Sequence, residues 1–282
     1  MLIGVTMGDS SGVGPEIALK AYCNREIAHP IVVFGDFPVL EHCNELLGYG
    51  VPLRRVSRID DVSEGFLNVR DLRSLKKEEI TVGKPSKKSG MAAREYVVAA
   101  TKAALDGDIA AVVTLPMNKA ATQLSDPKFC GHTELIAELC QACDFTMMLA
   151  TDELVVTHVS THVSLADAVK QVKKKRISKV IELTYDALKR FIDKPRIAVL
   201  GLNPHAGEGG LFGSEEADEI EPAIEEAKGK GMKAIGPVPP DTAFYLAVRR
   251  GRFDGIVCMY HDQGHIPMKL LDFEGGVNIT LG

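Results

Sequence analysis

Short apolar runs recur along the chain at residues 2–6, 30–34, 110–115, 145–150, 154–159, 196–200 and 255–259. Most are β-branched and almost unbroken by polar residues, the pattern of strands covered on both faces. Between them, apolar positions three and four apart predict helices over 14–23, 91–105, 134–143, 178–191 and 215–228. Strand and helix in alternation predict a two-domain α/β fold, layered α/β/α around mainly parallel sheets. The stretch 51–89 is rich in charged and polar residues and reads as connecting structure. No Ser/Gly linker or long repeat divides the chain, so two domains joined by crossing strands fit better than separate beads.

Composition narrows the function classes. A length of 282 residues suits one large or two medium domains, at roughly 150 residues each. The 33 Lys+Arg against 38 Asp+Glu give a formal net charge of -5, which argues against nucleic acid as a partner. The strongest basic run, at 173–176, reads as the start of a solvated helix. No apolar run reaches the ~18 residues of a membrane span, and the N-terminus lacks the positive leader of a signal peptide. Six scattered cysteines (Cys23, Cys43, Cys130, Cys140, Cys143 and Cys258) read as reduced thiols of a cytoplasmic protein. Cys140 and Cys143 form a C-x-x-C, but no second pair follows at zinc-ribbon spacing, so two helix thiols are expected there.

The Gly-rich segment MGDSSGVGPE follows the first strand and opens a helix at Pro15, a residue suited to the first helical position. It fails both standard nucleotide motifs. Ile17 stands where a dinucleotide fingerprint needs its third glycine, and Gly-Pro-Glu replaces the Gly-Lys-Ser/Thr of a phosphate loop. A tight strand-to-helix turn, or an anion site at the helix N-terminus, remains open.

Histidines carry the stronger signal. His162, His205 and His261 each follow a predicted strand, in STHVSL, GLNPHAGEGG and MYHDQGH. Residues at the carboxyl ends of parallel strands converge on the ligand crevice of α/β proteins, and three imidazoles there can bind one divalent metal with positions left open. Three hydrogen-bonded turn residues are the competing reading. The doubled THVS also sets His158 four residues before His162, which makes the two a metal pair, a ligand beside a packing residue, or a coincidence.

The strings MGDSSGVGPEI, TLPMNKAA, GHTELIA, STHVSL, GLNPHAGEGGLFGSEE, PPDTAF and MYHDQGHIPMK through GGVNITLG resemble, in order, the 4-hydroxythreonine-4-phosphate dehydrogenase family. HVSTH and HDQGHIP look most like the subgroup acting on D-threonate or D-erythronate 4-phosphate. The resemblance implies the fold of the isocitrate and isopropylmalate dehydrogenases, which bind NAD without the Rossmann fingerprint. The implied domains are 1–130 with 265–282 on the cofactor side, and 131–264 for metal binding and dimerisation.

By the same resemblance His162, His205 and His261 are metal ligands shared between the subunits of a homodimer, and His158 becomes a packing or supporting residue. His132, Thr133, Lys269 and Asn278 match substrate contacts. The implied activity is oxidation of the CH–OH group of a 4-phosphorylated hydroxy acid, with NAD, one divalent metal (Zn first; Co, Mg or Mn as alternatives) and decarboxylation. Asp241, Lys119 and Lys269 are candidates for the general base, and no cofactor-binding residue is assigned. The rival readings are a cis-dihydrodiol dicarboxylate dehydrogenase of the same family and a metal- and phosphate-binding module without turnover. The family pattern continues beyond NITLG with a substrate-binding arginine and an HGTAFDIA-like segment, so a chain ending at Gly282 is expected to be a C-terminally truncated form.

Overall fold

The apolar runs of the N-terminal half pair side by side. In the computed structural model, which describes residues 1–25 and 27–282, the chain divides into two compact units, Met1–Ala142 and Cys143–Gly282. The first contains β1 (Ile3–Thr6), α1 (Gly14–Cys23), β2 (Ile31–Gly35), α2 (Phe37–Leu47), β3 (Leu53–Val56), β4 (Leu67–Asp71), α3 (Lys87–Leu105), β5 (Ala111–Thr114), α4 (Lys119–Gln123) and α5 (His132–Leu139). Its five strands form one parallel sheet in the order β3-β4-β2-β1-β5. Every residue of β2 is buried, as its unbroken IVVFG requires.

Helix α3 starts at a reciprocal cap in which Ser86 and Ser89 each accept the other's backbone N–H. Its buried Ala92, Ala93 and Ala100 allow a close approach to the sheet. Gly90 lies directly against the backbone of α4, where no Cβ would fit. Beyond the end of β2, the carboxylate of fully buried Asp36 accepts from the amides of Ser74 (2.8 Å) and Leu75 (2.8 Å) and from the Tyr96 hydroxyl (2.7 Å). Burial nevertheless holds this carboxyl above its usual range, against the pull of those bonds.

The second unit contains β6 (Thr146–Ala150), β7 (Val155–His158), α6 (Leu165–Gln171), α7 (Lys174–Lys189), β8 (Arg196–Leu200), α8 (Glu221–Gly229), β9 (Lys233–Val238), α9 (Pro240–Val248), β10 (Gly255–Cys258), α10 (His261–Leu271) and β11 (Val277–Leu281). The sheet order is β11-β6-β7-β10-β8-β9; β7, β10, β8 and β9 run parallel, and β6 and β11 are antiparallel to their neighbours. Alternate residues of the central strands feed two cores. Ile197, Val199 and Val257 pack with Ile177, Ile181 and Ile224 of α7 and α8. Val156, Ala198, Leu200, Ile256 and Cys258 pack with Ala243 of α9 and Met268 of α10. Period-two alternation thus covers the sheet with helices on both sides.

Two expectations change. The stretch 51–89 is not mere connecting structure, because β3 and β4 lie in it and extend the first sheet. The division of the chain also differs from 1–130 with 265–282 and 131–264. β11 joins the second sheet by pairing with β6, and α5 packs in the first unit through Leu135 with Val97 and Phe129.

Asp36→Ala should cost about 3 kcal/mol, since it leaves two amides and a hydroxyl without their shared acceptor. Urea unfolding measures this; a loss under about 1 kcal/mol would mean that water replaces the carboxylate.

Candidate functional site

Strands β7, β10 and β8 are neighbours in the second sheet and point the same way, so their carboxyl ends open on one edge. Each delivers a histidine there. His162 lies in the turn after β7, His261 is the first residue of α10 after β10, and His205 lies in the turn after β8. The rings of His162 and His261 are 5.7 Å apart between centroids and line one cleft with Thr161, Val163, Tyr260 and Asp262. His261 Nδ1 is 2.7 Å from Asp262 Oδ1. A proton on Nδ1 donated to that carboxylate leaves Nε2 as the free lone pair.

His205 stands apart from this pair. Its Nδ1 is 3.2 Å from Glu208 Oε2, and its ring meets Phe212 edge-on at 6.2 Å. Among the described residues no group of three His, Cys, Asp or Glu side chains surrounds a single point. The chain therefore brings two of the three expected ligands together and holds the third on the adjacent turn.

That turn is unusual in its backbone. Residues 205–209 all adopt left-handed angles, with φ of 52°, 54°, 79°, 43° and 67°, although only Gly207 and Gly209 are glycines. Non-glycine residues in this region cost on the order of 1 kcal/mol or more each and persist only where the surroundings hold them. Here the holder is Glu216, which is buried in a π-helical turn, Glu216–Ile220, ahead of α8. Its carboxylate accepts from the amides of Leu202 (2.7 Å) and Asn203 (2.7 Å) and from Asn203 Nδ2 (2.9 Å). A Cβ at Gly207 would lie 2.7 Å from the same carboxylate. Burial pushes the Glu216 carboxyl up, but the bonds from Asn203 and Leu202 outweigh it and hold it below its usual range.

Behind the cleft lies a second layer of imidazole. His158 ends β7 fully buried, on the face covered by α10, with its Nε2 3.2 Å from Nδ1 of His265. His265, one helical turn after His261, stacks on it with centroids 3.6 Å apart and planes 11° from parallel. Burial, with a lesser contribution from the neighbouring His265, lowers His158 to about 3, so it is neutral at physiological pH. Burial and the neighbouring His261 also lower His265. Sequence reasoning gave His265 no role; its spacing of four from His261, on a segment that forms a helix, was the available signal.

The other candidates are dispersed. In the first unit Lys119 opens α4, and His132 and Thr133 open α5. Burial depresses the His132 imidazole, against the opposing influence of the Leu115 backbone and Glu134. In the second unit Asp241 is exposed in the first turn of α9, and Lys269 is exposed on α10 with Nζ 5.6 Å from the Phe273 ring centre. Asn278 is exposed on β11, opposite Leu149.

Because ionised Glu216 bonds more strongly in the folded chain, its contribution is present above the ordinary glutamate range and is lost as pH falls through its lower folded value. Glu216→Gln should thus be destabilised by about 1–3 kcal/mol at neutral pH, with the gap from wild type closing in acid. Melting curves across pH measure it; a gap that stays constant would show that the charge is not what holds the turn.

Known proteins place this architecture. Residues 26–282 match the family described as pyridoxal phosphate biosynthetic protein PdxA. The D-threonate 4-phosphate dehydrogenase of Salmonella typhimurium is 44% identical over 99% of this chain and 87% of its own length. The crystal structure of 4-hydroxythreonine-4-phosphate dehydrogenase from Klebsiella pneumoniae superposes with a TM-score of 0.90 at 40% identity, covering 100% of this chain and 87% of that one. A terephthalate 1,2-cis-dihydrodiol dehydrogenase from Burkholderia xenovorans LB400 is more distant, with a TM-score of 0.73 and 32% identity over 100% and 86% of the two chains. No helix among the described residues is long and apolar enough to cross a membrane. With its α/β fold, its strand-end histidines and matches of this extent, the chain belongs to the PdxA family.

Proposed function

We propose that this chain is a cytoplasmic, NAD- and divalent-metal-dependent dehydrogenase that oxidises and decarboxylates a 4-phosphorylated hydroxy acid. D-Threonate 4-phosphate, D-erythronate 4-phosphate and 4-hydroxy-L-threonine 4-phosphate are the candidate substrates. The observation that carries this reading is the His162–His261 pair at adjacent strand ends, in a chain 44% identical to a relative named for D-threonate 4-phosphate.

The donor set fits a metal in part. Two imidazoles binding one ion through nitrogens at about 2.0–2.1 Å hold their ring centres roughly 5 Å apart, and 5.7 Å is within a small side-chain adjustment of that. His162, His261 and His205 would hold the ion, with zinc favoured by an all-imidazole set and Co, Mg or Mn as alternatives. We assign His205 and His261 of one site to different chains of a homodimer, in keeping with the separate placement of His205. Exposed Leu211, Phe212 and Ile266 in the same unit supply apolar surface for such an interface.

When bound, the ion would supply Lewis acidity to the secondary alcohol, and NAD the hydride acceptor. The protein's part is to place the substrate and move its proton. His132, Thr133, Lys269 and Asn278 are assigned to the phosphate and carboxylate of the substrate. Asp241, Lys119 and Lys269 are the candidates to take the alcohol proton. Oxidation at the carbon β to the carboxylate leaves a β-keto acid, whose loss of CO2 would yield dihydroxyacetone phosphate from a threonate phosphate.

The resemblance to the dihydrodiol dehydrogenase supports a second reading, in which a second carboxylate replaces the phosphate. NADH formation with each substrate separates the two, and binding without turnover would favour a non-catalytic module over both.

His261→Ala and His205→Ala should each lower kcat/KM by about a thousandfold, the loss of several kcal/mol of transition-state stabilisation. Mixing the two inactive variants should restore up to about a quarter of wild-type activity, because half of the sites in each mixed dimer are intact. No recovery after subunit exchange, verified by mass, would place both histidines of a site on one chain.

A further inference from the structure

Every ligand in the proposed metal site must present one nitrogen at one angle, and an imidazole on the first residue of a helix does not do so unaided. Asp262 tethers Nδ1 of His261, but its side chain is largely exposed and adjacent in sequence, so it fixes the ring edge and not the ring plane. The plane is set by His265, which stacks on one face at 3.6 Å and 11°. His265 is in turn anchored at a single atom, its Nδ1, which is 3.1 Å from the carbonyl oxygen of His261 and 3.2 Å from Nε2 of His158.

The His261 carbonyl oxygen only accepts and is shared by both imidazoles, so one of the two rings donates to it. In the contact between His158 Nε2 and His265 Nδ1 one nitrogen donates and the other accepts. His158 cannot drift, because it is fully buried at the end of β7 and its backbone is in register with Cys258 of β10. Gly264 makes the contact possible: a Cβ there would sit 2.6 Å from His158 Nε2 and 2.8 Å from the Cys258 sulfur. A rigid strand histidine thus locks a helix histidine, which locks the ring of the candidate ligand.

We infer that His265 is a positioning residue, anchored on buried His158, that holds His261 with Nε2 free for a divalent metal. The inference rests on the reading of His261 as a ligand in the proposed function. It adds an intramolecular pair, His158 and His265, that neither chelates the ion nor touches substrate and yet sets the affinity for the ion.

Two substitutions split the contributions. His265→Asn keeps a hydrogen-bonding group near the position of Nδ1 and removes the stacking ring, and His265→Phe keeps a ring and removes the hydrogen-bonding group. The full chain is titrated with Co2+ and followed by calorimetry and by the visible cobalt bands, with His261→Ala as the control and thermal melts alongside. Nitrogen NMR of the metal-free protein reports the His261 tautomer independently of activity. We expect wild type to hold His261 protonated on Nδ1, and His265→Asn to lose that single form and bind Co2+ about 10–100-fold more weakly with altered bands. His265→Phe should recover part of the affinity. If both variants match wild type in affinity, bands and tautomer, the inference is overturned, even if they melt at lower temperature. If wild type and His261→Ala bind Co2+ equally, or neither binds it, the metal reading itself fails and the inference falls with it.

Discussion

Parallel pairing of β7, β10 and β8 is the constraint from which the candidate site follows. Parallel strands in register place their carboxyl ends on one edge, and each must hand the chain to a turn or helix at that edge. Residues just past the strand ends are therefore neighbours whatever their separation in sequence, as His162 and His261 are. The end of β7 does the rest. Val156 and His158, two apart on the strand, both face the core beneath α10, so the first histidine of the doubled THVS becomes an internal support. Its counterpart four residues later lies past the strand end, where strand alternation no longer holds, and lines the cleft.

Much of this was legible in the sequence where local and tertiary preferences agree. The helix at 14–23 and the strand at 196–200 coincide with α1 and β8, because Pro15 fixes one start and RIAVL is an unbroken buried run. β3 escaped because Arg54 and Arg55 are exposed on a short edge strand. β4 escaped because its polar residues are buried but satisfied: Asn68 bonds Ser63 and Phe66, and Asp71 pairs with Arg55. β11 is exposed along almost its whole length, so apolar periodicity had little to report. In the candidate site, strand-end placement singled out His162, His205 and His261, of which the fold brings His162 and His261 together. The stacking of His265 on His261 depends on how α10 packs over β7, which no local pattern records.

Two buried carboxylates organise the loops, and they shift in opposite directions. Asp36 and Glu216 each accept two backbone amides and one side-chain donor. At Asp36 desolvation prevails and the carboxyl is raised; at Glu216 the bonds from Asn203 and Leu202 prevail and it is lowered. The first joins α3 to the segment after β4. The second ties the turn bearing His205 to the helix that follows it, and so holds a left-handed run that its sequence alone would not adopt.

That tie alters how the turn fluctuates. A polar, glycine-rich surface loop ordinarily opens on its own, exchanging its amide hydrogens with solvent almost freely. The amides of Leu202 and Asn203 are instead bound to a side chain rooted in the π-helical turn, so they are released only when that turn gives way as well. The segment bearing His205 therefore opens as one cooperative unit with the start of α8, and its exchange is governed by the helix behind it and not by the loop's own composition.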